Sequence, residues 1–298
     1  MPVRAGGIDQ GKGCLMRLRS LLFVPGDRPE RFAKAAASGA DAIILDLEDS
    51  VSLANKEAAR AAVTEYLSGT REVITLVRVN PLDGHMTAAD VAAIADARPD
   101  AIMLPKAEGA PSIQQLDTIL RSESARDASL PPILPIATET PAAIFTLGSY
   151  REVKDRLIGL TWGAEDLPAA IGATTSRNDD GSYTQPYEVA RALTLFAAHG
   201  AGAAAIDTVF PAIKNEAGLA AYAARARRDG FTGMMAIHPS QVAPINGAFT
   251  PSADEVQRAQ AIVDAFAANP GSGVLQVDGK MVDAPHLKQA RHILSLAD

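Results

Sequence analysis

Eight short apolar runs alternate with Ala-rich amphipathic stretches between residue 19 and about residue 268. The runs begin near Leu21, Ala42, Thr75, Ala101, Ile133, Leu157, Ala204 and Met235, and residues 30–37, 56–67 and 185–198 typify the helical stretches between them. Uninterrupted apolar runs describe strands covered on both faces, and such strands pair in parallel through helical crossovers. Eight βα units predict an α/β fold, a (β/α)8 TIM barrel over residues 17–268, close to the usual length of about 250 residues. A doubly wound open sheet is the alternative that the same alternation allows. With 298 residues, 47% of them hydrophobic, the chain can fill the large core that either fold needs.

The ends read differently. Residues 1–16 are Gly-rich and aperiodic, and are expected to form a mobile N-terminal extension. Asn269-Pro270-Gly271-Ser272-Gly273 breaks the chain after the last long helical stretch. Beyond it, the turn Val277-Asp278-Gly279-Lys280 sits inside a short apolar segment, and a final helix follows. Residues 269–298 are therefore expected to form a C-terminal arm and helix, placed to pack on a neighbouring subunit. Asn178-Asp179-Asp180-Gly181-Ser182 is a turn-rich insertion in the sixth βα connection.

A net charge of −7 and a pI near 5.3 argue against nucleic acid as a partner. They leave room for a phosphate-bearing small molecule, which needs only a local basic pocket. No apolar run reaches the roughly 18–20 residues that span a bilayer, so no membrane partner is expected. The single cysteine, Cys14, excludes an internal disulfide and a cysteine-based metal site, and a reducing cytoplasm fits that count.

Three of the strand-like runs close on acids: Asp46-Leu47-Glu48-Asp49, Glu139, and Glu165-Asp166. Carboxylates just past buried strands meet desolvation and mutual repulsion unless a cation shares the site. In a barrel these ends converge on one face. The pattern points to a hard divalent ion on oxygen ligands, Mg²⁺, with Glu139 and Asp166 as direct ligands and Glu48 and Asp49 behind its waters. The alternative is that these acids only stabilise helix N-termini, and Glu165 suits that reading equally well.

Arg78 ends a fourth strand and offers a planar fork to an anionic substrate, or forms a structural salt bridge to Asp46 or Glu48. Lys106, in Leu104-Pro105-Lys106, invites a Schiff-base reading, but beside a metal site an electrostatic or structural role is favoured. Arg28, Lys56 and Arg60 are candidates for phosphate contacts near the barrel mouth, or ordinary solvated charges. His238 reads as a local hydrogen-bonding residue, Trp162 as packing near the site. Asp283, from spacing alone, is a capping or surface acid.

Seven segments taken together resemble the HpcH/HpaI aldolase superfamily and its citrate lyase beta subunit-like members. They are residues 19–26, the segment 45–51, Val77-Arg78-Val79-Asn80, Leu104-Pro105-Lys106, Glu139-Thr140-Pro141, residues 163–167, and Ile237-His238-Pro239-Ser240-Gln241. The resemblance covers residues 17–298, and seven segments in the right order make it specific. It implies a TIM barrel, Mg²⁺, and reversible carbon–carbon cleavage of a β-hydroxyacyl-CoA to an acyl-CoA and a 2-oxo acid. It also implies that Glu139 and Asp166 hold the metal, Arg78 the keto-acid carboxylate, and Glu48 and Asp49 the metal waters. Met281-Val282-Asp283 resembles the tail of malyl- and citramalyl-CoA lyases, whose Asp is the acid/base supplied by the adjacent subunit of a homotrimer or hexamer. A citrate lyase subunit that needs a partner, and a malyl-CoA-type thioesterase, lie within the same resemblance. One departure stands out: relatives often carry Lys where Met234 follows Gly230-Phe231-Thr232-Gly233, so a basic contact near the CoA site is expected to be missing.

Overall fold

The computed structural model describes residues 17–123 and 129–297. The expected mobile extension, with Cys14 in it, lies outside the described residues. The chain divides into two compact units, one ending at Asn246 and the other spanning Gly247–Asp298.

Among the described residues the first unit holds eight strands: β1 Ser20–Pro25, β2 Ala42–Asp46, β3 Ile74–Arg78, β4 Ala101–Leu104, β5 Ile133–Pro135, β6 Gly159–Thr161, β7 Ala204–Asp207 and β8 Gly233–Ala236. Each begins within two residues of the start read from the sequence. All pair in parallel, in the order β5-β4-β3-β2-β1-β8-β7-β6. The seam between β5 and β6 is bridged at Ile133–Leu157 and Ile136–Thr161, where Ala137 N donates to Thr161 O at 2.8 Å. A doubly wound sheet would leave open edges there. This sheet curls round to meet itself, as a (β/α)8 barrel does. The helices of this unit are α1 Phe32–Ala36, α2 Lys56–Ser68, α3 Met86–Ile94, α4 Ala110–Glu123, α5 Pro141–Thr146, α6 Asp166–Ala170, α7 Gln185–Ala201 and α8 Glu216–Asp229. A ninth, α9 Val242–Phe249, runs across the division.

Side-chain period 2 decides what fills the barrel and what tops it. Leu21, Ile44, Leu76, Met103, Leu134, Ile206 and Met235 form one buried cluster. Two residues further along the same faces come Phe23, Asp46, Arg78 and Ile136. The strands therefore deliver a guanidinium and a carboxylate to the C-terminal mouth by register alone.

One side of that mouth is tied down by a buried polar network. Asp207, fully buried at the end of β7, accepts from Trp162 Nε1 at 2.6 Å, Thr208 N at 2.8 Å and Tyr222 Oη at 3.0 Å through Oδ1. Its Oδ2 accepts from Arg191 Nε at 3.0 Å and Nη2 at 2.8 Å. Arg191 Nη1 also reaches Asp229 at 2.6 Å. Trp162 meets Tyr183 edge-on at 5.0 Å. The insertion near residue 180 closes on itself through Asn178 N to Ser182 O at 2.8 Å, with Arg177 over the Tyr183 ring at 4.0 Å.

The second unit contains α10 Ala253–Ala268, the antiparallel pair β9 Val274–Val277 and β10 Lys280–Asp283, and α11 Ala284–Ser295. Ser252 opens α10 with a capping box completed by Glu255. Asp278 and Gly279 turn the hairpin with φ of 49° and 75°, the left-handed pair that a type I′ turn requires. The arm and helix expected from the sequence are both present, and α10, which the sequence reading grouped with the barrel, packs on α11 in this unit.

Asp207→Ala would leave Arg191 with Asp229 as its remaining ion-pair partner and release the Trp162 indole. It should cost about 3–5 kcal/mol of unfolding free energy. Urea unfolding followed by fluorescence of Trp162, the one tryptophan of the chain, measures this; an unchanged midpoint would show that the network carries no stability.

Candidate active site

At the barrel mouth Asp46 and Arg78 face each other from β2 and β3. Arg78 Nε lies 2.7 Å from Asp46 Oδ1 and Nη2 lies 2.7 Å from Oδ2, a two-point ion pair. Arg78 Nη1 is 2.8 Å from Glu48 Oε2, though Glu48 Oε2 is buried without an aligned hydrogen bond. The guanidinium lies over the Phe23 ring at 4.9 Å. Asp46 also accepts from Glu48 N at 2.9 Å and Ser50 N at 3.2 Å. Burial pushes the Asp46 carboxyl up, but Arg78 and these N–H donors outweigh it and hold the group below its ordinary range. Burial likewise opposes the charge on Arg78, and Asp46 with Glu48 overcomes it and raises the guanidinium. Five N–H donors serve a guanidinium; two go to Asp46 and one faces Glu48, so donors remain for a ligand.

Glu139, past β5, is buried, and its Oε2 accepts from Lys106 N at 2.6 Å. Gly163, past β6, makes room for it: a Cβ there would stand 2.6 Å from Glu139 Cγ. Lys106 adopts φ 52° and sends Nζ to 3.0 Å from Glu48 Oε1 and 3.7 Å from Asp166 Oδ1. Burial is the main force that raises the Glu139 carboxyl to about 8, with Asp166 and Glu48 adding to it. Burial raises Glu48 as well, against Arg78 and Lys106.

These residues surround a cavity of about 330 Å³. Phe23, Ile136, Val209 and Met235 give it apolar walls, Asp46, Asp49, Glu139, Glu165 and Asp166 line it with five carboxylates, and Arg78 is the one cationic side chain among the described residues that line it. Among the described residues no three of His, Cys, Asp and Glu converge on a single ion position. Glu139 and Asp166 share the cavity, and two protein carboxylates with water and substrate oxygens making up the rest is the usual habit of Mg²⁺.

The basic residues expected to meet phosphate divide. Lys56 is buried, and its Nζ donates to Leu47 O at 2.6 Å, Glu48 O at 2.7 Å and Asn80 Oδ1 at 2.8 Å. All three ammonium donors are used inside the protein, so its expected phosphate contact is corrected to a clamp on the β2 and β3 ends. Arg60 Nε pairs with the fully buried Asp90 at 2.7 Å, which also holds Asn80, so Arg60 too is structural. Arg28 is exposed beside the β1 loop, 3.9 Å from Asp27, and keeps its candidacy. Met234 is fully buried in β8, so position 234 belongs to the core and not to a phosphate-facing surface.

His238 caps the 3-10 turn Pro239–Gln241, accepting from Ser240 N at 3.2 Å, as a local hydrogen-bonding residue does. Glu165 N-caps α6 without a side-chain hydrogen bond, and still lines the cavity. Asp283, in the second unit, N-caps α11 and lies 2.5 Å from His286 Nδ1; that hydrogen bond holds the exposed carboxyl below its ordinary range. Two participants were underrated from sequence. Asp46 reads in sequence as one of the strand-end acids and a salt-bridge partner for Arg78, and its even spacing from Ile44 marks it as mouth-facing. Lys106 reads in sequence as an electrostatic or structural residue, and nothing there foretells its left-handed backbone.

The family model of HpcH/HpaI aldolase/citrate lyase matches residues 19–239. The chain belongs to that family. It is 36% identical over 287 residues to the citrate lyase subunit beta of Escherichia coli K12, covering 94% of this chain and 93% of that one. It is 34% identical over 287 residues to the (3S)-malyl-CoA thioesterase of Cereibacter sphaeroides, covering 94% of each. Among solved structures, protein CitE of Mycobacterium tuberculosis in complex with magnesium, acetoacetate and coenzyme A matches with a TM-score of 0.80 at 34% identity, over 94% of this chain and 97% of that one. The expectation of a carbon–carbon lyase working on CoA esters holds at the level of the aldolase/citrate lyase family. Among the described residues no helix is long and apolar enough to cross a membrane.

Two outcomes follow from this geometry. Glu139 is raised from 4.5 to about 8, so the folded state holds a proton that the unfolded state has lost across that interval. Without divalent ions, stability should fall as pH rises from 4.5 to 8. Glu139→Gln should flatten that fall and be more stable than the parent at pH 8, with no advantage near pH 4; parallel thermal melts across pH test it. Lys56→Met should lose about 2 kcal/mol or more, because buried carbonyls lose their donor. Its apparent KM for a CoA thioester should stay at the parent value, which steady-state kinetics would check.

Proposed function

We propose that this chain is a Mg²⁺-dependent lyase that cleaves or forms a β-hydroxyacyl-CoA of the malyl-CoA or citramalyl-CoA type, giving an acyl-CoA and a 2-oxo acid. One observation carries the reading: a cavity with apolar walls and five carboxylates whose one lining cation, Arg78, is anchored by Asp46. A 2-oxo acid with a single carboxylate matches a single guanidinium. A second carboxylate, as in oxaloacetate, would lie among like charges and have to draw on Lys106, already engaged by Glu48 and Asp166, which disfavours a citryl-CoA substrate.

Glu139 and Asp166 would hold Mg²⁺, with Glu48 and Asp49 orienting its waters; the magnesium in the CitE complex supports that choice of ion. When bound, the ion would polarise the hydroxyl and keto oxygens and disperse the negative charge that develops on them. Arg78 would grip the carboxylate of the 2-oxo acid half and fix its orientation through two parallel contacts. In cleavage the hydroxyl proton departs, the electrons of the carbon–carbon bond pass to the α-carbon of the acyl-CoA, and that carbon takes up a proton. Asp283 would relay this proton between oxygen and carbon, and His286 holds it in the anionic form that can accept one. The arm that carries Asp283 would act from a neighbouring subunit of a homotrimer or hexamer. Arg28 would meet the phosphates of the CoA moiety near the mouth.

The relationship to a (3S)-malyl-CoA thioesterase favours one second reading, hydrolysis of the same thioester. It would yield free thiol without a 2-oxo acid. The relationship to a citrate lyase subunit would instead require a partner such as an acyl-carrier protein, and activity of the isolated chain would count against it.

Purified protein with Mg²⁺ should release glyoxylate from malyl-CoA or pyruvate from citramalyl-CoA, and a chelator should abolish the release. Arg78→Lys should raise the KM for the 2-oxo acid in the condensation direction about tenfold or more, since an ammonium cannot make the two-point contact. Asp283→Asn should lower kcat about 10²–10⁴-fold. Failure of every short β-hydroxyacyl-CoA to give a carbonyl product would overturn the reading.

A further inference from the structure

The mouth of the barrel contains a residue that touches three strand-end carboxylates at once. Lys106 follows β4 directly after Pro105, and its φ of 52° is a left-handed conformation that side chains other than Gly rarely adopt. That turn aims its main-chain N–H at Glu139 Oε2, 2.6 Å away. It also throws the side chain across the mouth, where Nζ lies 3.0 Å from Glu48 Oε1 and 3.7 Å from Asp166 Oδ1. Carboxylates arriving from β2, β5 and β6 thus have one residue in common. Unfavourable backbone geometry persists where the surroundings over-determine it, and such positions cluster at functional sites. The side chain is 30% exposed, so the ammonium is held by those acids and not by a packed core.

Building on the cation site proposed above, we propose that Lys106 is its positioning residue, with two separable parts. The main-chain N–H fixes one oxygen of Glu139 and leaves the other for a ligand. The ammonium joins Glu48 to Asp166 and so substitutes for a divalent cation while none is bound. Its charge lies beside the position such an ion would take, so the two compete. Removing the ammonium leaves the acids in mutual repulsion. The ion-free protein then becomes less stable, and the site binds a divalent cation more tightly. A Lys106 that only packed against its neighbours would alter stability alone.

The test titrates Mg²⁺ alone into the full-length chain by calorimetry and records melting temperature with and without Mg²⁺. Lys106→Met removes the charge and keeps the stem. Lys106→Gly removes the side chain, keeps the N–H, and relieves the left-handed backbone, so it stays informative if the Met variant fails to fold. Both should bind Mg²⁺ about tenfold more tightly than the parent. Both should show a larger Mg²⁺-induced rise in melting temperature, and Lys106→Arg should stay close to the parent. Mg²⁺ affinity that is unchanged or weaker in both neutral variants, with a parent chain that binds the ion, overturns the role of Lys106 and leaves the proposed lyase standing. A parent chain that binds no Mg²⁺ overturns both.

Discussion

The two-point pair between Asp46 and Arg78 is the contact on which the barrel mouth depends. Both groups sit at strand ends, one fully buried and the other nearly so, where an unpaired charge would be costly. Paired in parallel geometry, and with Asp46 further held by two N–H groups, they stay ionised. The pair also sets the orientation of Arg78. With Nε and Nη2 committed to Asp46 and Phe23 beneath the plane, the guanidinium cannot turn, and its remaining donors keep a fixed direction. A substrate carboxylate would then meet a group whose rotational freedom has been spent in folding. The same rigidity makes the structural salt bridge of Arg78 compatible with its proposed binding role.

Around this pair the charge does not balance. Arg78 neutralises Asp46, and Lys106 is shared between Glu48 and Asp166. Glu139 receives one N–H and no cation of its own, which is why burial drives it toward its neutral form. A protein that needed this acid only for packing would be better served by Gln. Retaining a carboxyl in a place that opposes its ionisation makes sense where an incoming cation restores the charge. Gly163 points the same way, since any side chain at that position would collide with Glu139.

Much of this was legible in the sequence because strands announce themselves by period and termination. The apolar runs announced all eight strands, and an acid in step with the inward face, as Asp46 is with Ile44, faces the mouth, whereas Asp207, out of step with Ile206, does not. Asp278-Gly279 signalled its hairpin by turn chemistry alone. What stayed hidden depends on where long side chains go after the backbone ends. Lys56 reads as a solvent-facing charge at a helix start, yet its four-carbon stem runs inward to three acceptors. Arg60 hides for the same reason, because its partner Asp90 belongs to another helix. Lys106 could be suspected of chemistry from its type, but its part depends on a left-handed φ. The tail acid Asp283 looks like a cap in sequence and is one in the structure, and only the resemblance to lyase tails marked it as chemical.

The acids of the mouth differ in how firmly they are held, and that difference gives the site a direction. Asp46, Glu48 and Glu139 are almost wholly buried, whereas the side chain of Asp166 is 34% exposed and that of Lys106 30%. The β6 end itself is immobilised from behind, because Trp162 is tied to Asp207 and through it to Arg191. Asp166 therefore stands beside an anchored strand end, with a partly exposed carboxylate that meets only the Lys106 ammonium at 3.7 Å among the described ion pairs. At the proposed cation site a hydrated ion would meet that carboxylate before Glu139, which is buried deeper. An arrangement with both acids equally buried would demand that the ion lose its hydration before it gained any protein ligand, a loss that Mg²⁺ resists strongly. The gradient of exposure from Asp166 to Glu139 would thus be a physical reason for the two proposed ligands to come from different depths of the same barrel mouth.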